Sequence, residues 1–291
     1  VRVFDPAPEA AQGLAQALDR ARRVLPMLYD VALPAEGRLT AHDNLAEAVA
    51  GADWIQESVG ERLELKHRVI AGIEAAAPRD APIASSTSGF RPSQLQEGAR
   101  HAGRILVAHP FNPVYLLPLV ELVGSPETDP QVVEQASETM AGLGMHPLPL
   151  RAEIDAHVAD RLLEAVWREC LWLVKDGIAT TAEIDDAIRM GFGLRWAQMG
   201  IFETYRLAGG EAGMRHFLAQ FGPALTWPWT KLMDVPDLDE ALVETIAAQS
   251  DAQSGHLSIA ELAQTRDDNL VALLRALKAR GQAAGRTLGA H

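Results

Sequence analysis

The sequence predicts a mostly parallel α/β domain over residues 1–152, followed by an all-α domain over residues 153–291. Through the first part, short apolar runs alternate with helix-like segments, which is typical of strands joined by crossover helices. From Asp155 onward the pattern is helical, with almost no strand-like run. The change between these two patterns places the domain boundary near residues 151–154.

The first run, Val1 to Phe4, is β-rich and ends at Asp5, and a helical segment extends from Pro6 to about Tyr29. This is the pattern of the second strand of a Rossmann-type nucleotide-binding unit, in which an acid accepts the adenosine ribose hydroxyls and repels a 2′-phosphate. Asp5 is therefore predicted to favour NAD over NADP, the alternative being a surface aspartate at a strand end. No Gly-x-Gly-x-x-Gly follows a strand, so we expect the first strand and its glycine loop to lie upstream of residue 1.

The amino-acid composition argues against some classes of binding partner. Hydrophobic residues make up 48% of the chain and the formal net charge is −13, which argues against nucleic acid or an anionic membrane surface as a partner. No apolar run has membrane length and no signal-peptide pattern is present, so we expect a cytoplasmic protein. The single cysteine, Cys170, excludes an internal disulfide framework and is expected to be a buried spectator.

The remaining elements of the first part follow in order. Asn44 is placed to cap a helix from Leu45 to Val49. Gly142 and Gly144 are typical of the end of a helix. The other predicted elements are a strand within residues 53–60, a helix over 66–77, strands at 82–84 and 105–108, a helix over 131–143 and an edge strand over 145–150 that contains two prolines.

The second part is predicted to be helical throughout. A sustained 3.6-residue apolar period predicts a long helix from Ala156 to Lys175. Residues 180–183 and 258–261 read as capping boxes that open later helices. The glycines at positions 177, 191, 209 and 210 fall where helices are expected to stop.

Three segments carry residues suited to acid–base chemistry. They are Ser-Ser-Thr-Ser-Gly at 85–89, His-Pro-Phe-Asn-Pro at 109–113 and Leu-Val-Glu at 119–121. Strands of a parallel sheet deliver polar side chains to one edge, so a serine, His109 and Glu121 are expected to meet there. A histidine whose second ring nitrogen faces a carboxylate is suited to act as a general base. The alternative is that His109 opens a proline-bounded turn.

These segments resemble, in order and spacing, the catalytic core of the 3-hydroxyacyl-CoA dehydrogenase superfamily, and the resemblance covers essentially the whole chain. It implies NAD as cofactor, with Ser88, His109 and Glu121 as catalytic residues. Glu61, Lys66 and Asn112 match the cofactor side, although Glu61 and Lys66 are equally consistent with a solvated helix pair. No metal is expected.

Residues 191–205 and 226–231 resemble one branch of that superfamily more closely, the L-carnitine 3-dehydrogenases. A quaternary ammonium is recognised by aromatic faces and nearby acids. The resemblance therefore implies a trimethylammonium pocket built partly from Phe192, Trp196, Glu203 and Tyr205. Taken singly, each aromatic residue is as readily explained as a core or dimer-interface residue.

Asp160 departs from the superfamily pattern, which usually has asparagine at this point. Its carboxylate either approaches the substrate or pairs with a neighbouring cation such as Arg161. If it is ionised at the site, it disfavours a thioester carbonyl and attracts a cation.

The resulting expectation is a homodimeric enzyme that oxidises a small quaternary-ammonium hydroxy acid. Two alternatives remain. One is a dehydrogenase of another 3-hydroxy acid, such as a 3-hydroxyacyl thioester, 3-hydroxybutyrate or L-gulonate. The other is a structural homologue that keeps the fold without turnover.

Overall fold

The computed structural model describes residues 1–197, 200–209, 213–221, 227–231, 239–245, 248, 256 and 258–289. Gln198, Met199, Gly210 and Thr226, which belong to segments singled out from the sequence, lie outside the described residues. The chain divides into two compact units. The first comprises residues 1–161, 267–278 and 284–291, and the second comprises residues 162–266 and 279–283.

The first unit contains the strands of the described chain. A two-stranded parallel pair is formed by β1 (Arg2–Val3) and β2 (Thr40–Ala41). A five-stranded sheet has the order β3 (Ile55–Glu57), β4 (Ile83–Ser85), β5 (Ile105–Pro110), β6 (Leu119–Val123) and β7 (His146–Pro149). Strands β3, β4 and β5 run parallel, whereas β6 is antiparallel to β5 and parallel to β7. The proline-containing strand therefore lies at an edge, as predicted.

The helices of the first unit cover the sheet and begin where the sequence supplies caps. They are α1 (Ala10–Leu28), α2 (Leu45–Val49), α3 (Leu63–Ala76), α4 (Pro92–Leu95) and α5 (Pro130–Gly142). The Asn44 side chain accepts a hydrogen bond from the amide of Glu47 at 2.9 Å, which confirms the predicted cap of α2. Gly144 has φ of 79° after the end of α5, so the predicted glycine stop is also confirmed.

Successive side chains along β5 point to opposite faces of the sheet, so they pack into two different hydrophobic cores. Ile105 and Val107 pack on one face of the sheet with Ile70, Ile73 and Ile83. Leu106 and Ala108 pack on the other face, against Ala136 and Met140 of α5. The next residue on the first face is His109, and Glu121 shares that face because Val123 packs with the first core. The alternation thus directs both polar side chains to the same side of the sheet.

The later helices are α6 (Ala159–Lys175), α7 (Thr181–Ala187), α8 (Gly193–Trp196), α9 (Ile201–Ala208), α10 (Gly213–Phe221), α11 (Ile259–Arg280) and α12 (Gly285–Gly289). Both predicted capping boxes form. Thr180 accepts from the Glu183 amide at 3.3 Å, and Ser258 accepts from the Glu261 amide at 3.2 Å. In the second unit, Val174, Ile184 and Leu242 form a small buried cluster.

Two predicted helix limits were wrong. Helix α6 begins at Ala159 rather than Ala156, because Ala156 and His157 adopt positive φ values of 60° and 52° that interrupt a helix. Gly191 does not end a helix. It lies in a π-helical turn, Ile188–Phe192, with φ of −110° and ψ of −114°, and helical structure resumes at Gly193. A glycine therefore marks a kink here instead of a stop.

Cys170 is partly buried, and burial together with the nearby Asp185 carboxylate raises the pKa of its thiol. Within the described ranges, no helix combines the length and apolar character needed to cross a bilayer.

Candidate active site

His109 and Glu121 form the centre of the candidate active site. They are direct partners across the antiparallel strands β5 and β6. Both are buried, and Nδ1 of His109 lies 3.3 Å from Oε2 of Glu121. The Phe111 ring packs against the imidazole in a T-shaped arrangement, with 5.0 Å between the ring centroids. The imidazole is therefore held on one nitrogen by a carboxylate, and its other nitrogen, Nε2, is available for chemistry.

Glu121 also holds the start of α6. Its Oε1 accepts hydrogen bonds from the amides of Val158 and Ala159, each at 3.0 Å. Burial alone would raise the pKa of this carboxyl, but the bonds from His109 and from these two amides, with the nearby His157, lower it overall. The carboxylate is consequently ionised beside His109.

Ser88 completes the group predicted from sequence. Its Oγ lies 3.0 Å from Nε2 of His109 and its side chain is exposed. Ser88 belongs to a loop that directly follows β4, whereas His109 is the fifth residue of β5. The serine hydroxyl is thus presented on the open side of the imidazole, opposite Glu121.

The Ser88 loop is fixed by Glu61. Oε1 of Glu61 accepts hydrogen bonds from the Thr87 hydroxyl and from the amide of Gly89 at 2.9 Å. Burial would raise the pKa of Glu61, but these bonds and the Lys66 ammonium lower it overall. A single carboxylate therefore ties down the residues on both sides of Ser88.

Lys66 is buried, so the solvated helix pair considered from sequence was wrong. Its Nζ lies 3.2 Å from both carboxylate oxygens of Glu57, 3.0 Å from the Val59 carbonyl and 3.4 Å from Glu61. Ser85 donates to Glu57 at 2.5 Å. The ammonium neutralises one buried acid and one half-exposed acid, and together these groups support the loop that carries Ser88.

Asp160 lies beside the same imidazole nitrogen as Ser88. Its Oδ2 is 3.6 Å from Nε2 of His109, and its side chain is 19% exposed. The predicted alternatives were an approach to the substrate or a pair with a neighbouring cation. Among the ion pairs of the described residues, the partner of Asp160 is His109.

His157 is a buried residue of the site that the sequence interpretation missed. Its Nε2 donates a hydrogen bond to the Thr87 carbonyl at 3.0 Å, and its ring centroid lies 5.5 Å from that of His109. Glu57 was also missed. An acid within the strand predicted at residues 53–60 was the available signal for Glu57. His157 gave no signal, because a lone histidine in a turn is common.

The carboxyl ends of the parallel strands carry groups that fit a dinucleotide. Asp5, after β1, is exposed, with Oδ1 accepting from the Ala7 amide at 2.9 Å. The hydroxyls of Ser58 and Ser86 lie 2.9 Å apart after β3 and β4. Asn112 is exposed shortly after His109. Carboxylate, hydroxyl and amide groups at the ends of such strands suit ribose hydroxyls and a carboxamide.

The four residues predicted to bind a quaternary ammonium in the helical part all lie in the second unit. Phe192 and Trp196 form a tilted pair with centroids 4.6 Å apart. Tyr205 stacks on Phe217 at 4.6 Å, and Glu203 is exposed in the first turn of α9. The rings are therefore arranged in two pairs.

Comparison with known proteins places the chain in a family. Residues 1–154 match the NAD-binding domain of 3-hydroxyacyl-CoA dehydrogenase, and residues 157–246 match its C-terminal domain. The solved structure of an NAD+-dependent 5-formyl-3-hydroxy-2-methylpyridine 4-carboxylic acid 5-dehydrogenase superposes with a TM-score of 0.78 at 26% identity, over 96% of this chain and 90% of that one. These matches confirm the predicted fold class and the predicted NAD-binding domain.

Curated relatives are more similar in sequence. The L-carnitine dehydrogenase/betainyl-CoA thioesterase of Ruegeria pomeroyi is 65% identical over all of this chain, which spans 60% of that protein. The L-carnitine dehydrogenase of Mesorhizobium japonicum is 57% identical over all of this chain, which spans 80% of it. The predicted resemblance is thereby confirmed, and the chain belongs to the 3-hydroxyacyl-CoA dehydrogenase family.

Proposed function

We propose that this chain catalyses the NAD-dependent oxidation of the 3-hydroxyl of L-carnitine to 3-dehydrocarnitine, in the cytoplasm. The observation that carries the proposal is the position of His109, with Nδ1 on the Glu121 carboxylate and Nε2 beside the exposed Ser88 hydroxyl. This is an arrangement for removing a proton from a secondary alcohol. The choice of L-carnitine rests on the names of the relatives.

In the proposed reaction the substrate hydroxyl binds between Ser88 and His109. Nε2 of His109 takes the hydroxyl proton as the C3–H bond breaks and the C3–O bond becomes a carbonyl. When bound, NAD supplies the acceptor for the hydride that leaves C3. Glu121 keeps the proton on Nδ1 before the reaction and stabilises the imidazolium that forms. Ser88 orients the hydroxyl oxygen through its own hydrogen bond.

The cofactor roles are assigned by position. Asp5 is suited to the adenosine ribose, and Asn112 and Glu61 are assigned to the nicotinamide side. Because Lys66 is buried against Glu57, we assign it an indirect role, in which it holds Glu57 and Glu61 in place.

The helical part is proposed to contribute to substrate binding and to form the dimer contact. Phe192, Trp196, Glu203 and Tyr205 are proposed to form part of the trimethylammonium pocket. Helix α6 exposes Leu162, Leu163 and Trp167, a face suited to a second copy of the chain. Sedimentation of the full-length protein, with Leu163→Glu as the disrupting variant, tests the homodimer.

The decisive experiment is NADH formation by the full-length protein offered L-carnitine, D-carnitine, 3-hydroxybutyrate, L-gulonate and a 3-hydroxyacyl-CoA in parallel. A strong preference for L-carnitine is expected. Turnover of another substrate would be consistent with the roles of Ser88, His109 and Glu121 but would contradict L-carnitine as the substrate. Binding of NAD without any turnover would support a non-catalytic homologue.

A further inference from the structure

Asp160 adds a second carboxylate to the imidazole, on the side where the substrate hydroxyl is proposed to bind. Glu121 faces Nδ1 at 3.3 Å, whereas Asp160 faces Nε2 at 3.6 Å, next to the Ser88 hydroxyl. Removing a proton from an alcohol requires neutral His109 at the start of the reaction. In that state, the described residues provide Asp160 with no cation within ion-pair distance.

Several features of the fold hold this carboxylate in place and favour a negative charge at its position. Asp160 is in the first turn of α6, where the helix dipole favours a negative charge. The turn itself is anchored because Glu121 binds the amides of Val158 and Ala159. At 19% exposure the side chain is shielded from much of the solvent, so an interaction with a substrate charge is weakened less than at an open surface.

The chemistry of the substrate brings a positive charge to this point. In L-carnitine one methylene separates the hydroxyl-bearing carbon from the quaternary nitrogen, so the oxygen and nitrogen lie roughly 3–4 Å apart at ordinary bond lengths and staggered torsions. A hydroxyl bound to Nε2 and Ser88 therefore leaves the ammonium within reach of Asp160. A quaternary nitrogen has no N–H, so charge and not hydrogen bonding must recognise it.

We propose that Asp160 is a specificity-determining residue whose carboxylate selects substrates with a cationic group on the carbon next to the reacting alcohol. The inference rests on the proposed function and deepens it. It places recognition of the ammonium beside the catalytic imidazole. A substrate with a neutral group at the same position gains nothing from Asp160.

The test compares L-carnitine with 3-hydroxy-5,5-dimethylhexanoate, an isostere whose head group is neutral because carbon replaces the quaternary nitrogen. For the full-length Asp160→Asn variant, kcat/KM for L-carnitine is expected to fall about 10- to 100-fold relative to the isostere, the size expected for one partly screened charge pair at short range. The isostere should be oxidised as well as by the wild type, or better. Asp155→Asn is the matched control, because it removes the same charge from the preceding exposed segment.

Two outcomes would overturn the role of Asp160. If Asp160→Asn leaves the ratio of kcat/KM for the two substrates unchanged, the charge of Asp160 does not determine substrate selectivity. An equal loss for both substrates would show that the side chain only supports the site. The wild-type protein tests the proposed function independently of the variant. If the wild type does not oxidise L-carnitine, the proposed function itself is contradicted.

Discussion

His157 donates a hydrogen bond from Nε2 to the carbonyl of Thr87, 3.0 Å away, and so connects the residue before Ser88 to the segment that leads into α6. Both residues are buried. The bond joins the two segments that border the open side of His109. Its loss should therefore affect both the folded state and the reaction.

We expect His157→Leu to destabilise the protein by about 1–3 kcal/mol, because the Thr87 carbonyl would be left buried without its donor. The kcat should fall more than the KM rises, since the hydroxyl of Ser88 would be less well placed. Urea unfolding and steady-state kinetics measure the two effects. His157→Gln, which can still donate, should recover most of both, and a Gln variant no better than Leu would contradict the role of this bond.

His109→Asn should lower kcat about 10²- to 10⁴-fold, the usual contribution of a general base. The affinity for NAD, measured by calorimetry, should stay nearly unchanged. The exposed His101 provides a control, and His101→Asn should behave as the wild type. Parallel loss of turnover and NAD affinity would instead indicate a structural role for His109.

Glu121 should make stability depend on pH in a defined direction. Its pKa in the folded protein is lowered, so its contribution is present above the unfolded pKa of about 4.3 and is lost as pH falls through the folded value. Glu121→Gln should be clearly less stable than the wild type at pH 7, and the difference should shrink towards pH 3. Urea unfolding at both pH values measures it. A difference that does not change with pH would rule out the ionised carboxylate as its source.

Breaking the buried pair between Lys66 and Glu57 should be costly. Lys66→Met leaves a buried carboxylate without its cation, and a loss of about 3–5 kcal/mol in the free energy of unfolding is expected. The double variant Lys66→Met, Glu57→Gln should recover much of this. Arg22→Met, which breaks an exposed pair with Glu36, is the matched control and should cost less than about 1 kcal/mol. Equal effects of the two single variants would refute the argument.

Trp196→Ala should raise the KM for L-carnitine far more than for the isostere with the neutral head group, because an aromatic face attracts a cation but gives a tert-butyl group only apolar contact. Steady-state kinetics with the two substrates measures the difference. Equal changes for both substrates would remove Trp196 from the proposed ammonium pocket and leave it a packing role on Phe192.

Much of the fold and the centre of the site could be predicted from sequence because both depend on local patterns. Apolar runs at 82–84 and 105–108, followed by the segments that carry Ser88 and His109, predicted the strands. Asn44 and the capping boxes predicted where helices start. The antiparallel direction of β6 could not be predicted, since pairing direction depends on the connection and not on the strand's own residues. It is this pairing that makes Glu121 the direct neighbour of His109.

Other features escaped prediction because they depend on tertiary contacts. Lys66 follows a helical pattern that is compatible with a solvated face, and only its contact with Glu57 shows why it is buried. The positive φ values of Ala156 and His157 shorten α6, although alanine rarely adopts that conformation. The position of Asp160 was singled out from sequence, but its approach to Nε2 of His109 required the structure.

Glu121 divides its two oxygens between the imidazole and the first amides of α6. The ability of His109 to act as a base therefore depends on the folding of a segment that is distant in sequence, the start of α6. A molecule in which the start of α6 is frayed has lost two of the donors that keep this carboxylate ionised, and its histidine is less well prepared to accept a proton. Because the same carboxylate contacts both the imidazole and the start of α6, we expect partly folded chains to be inactive.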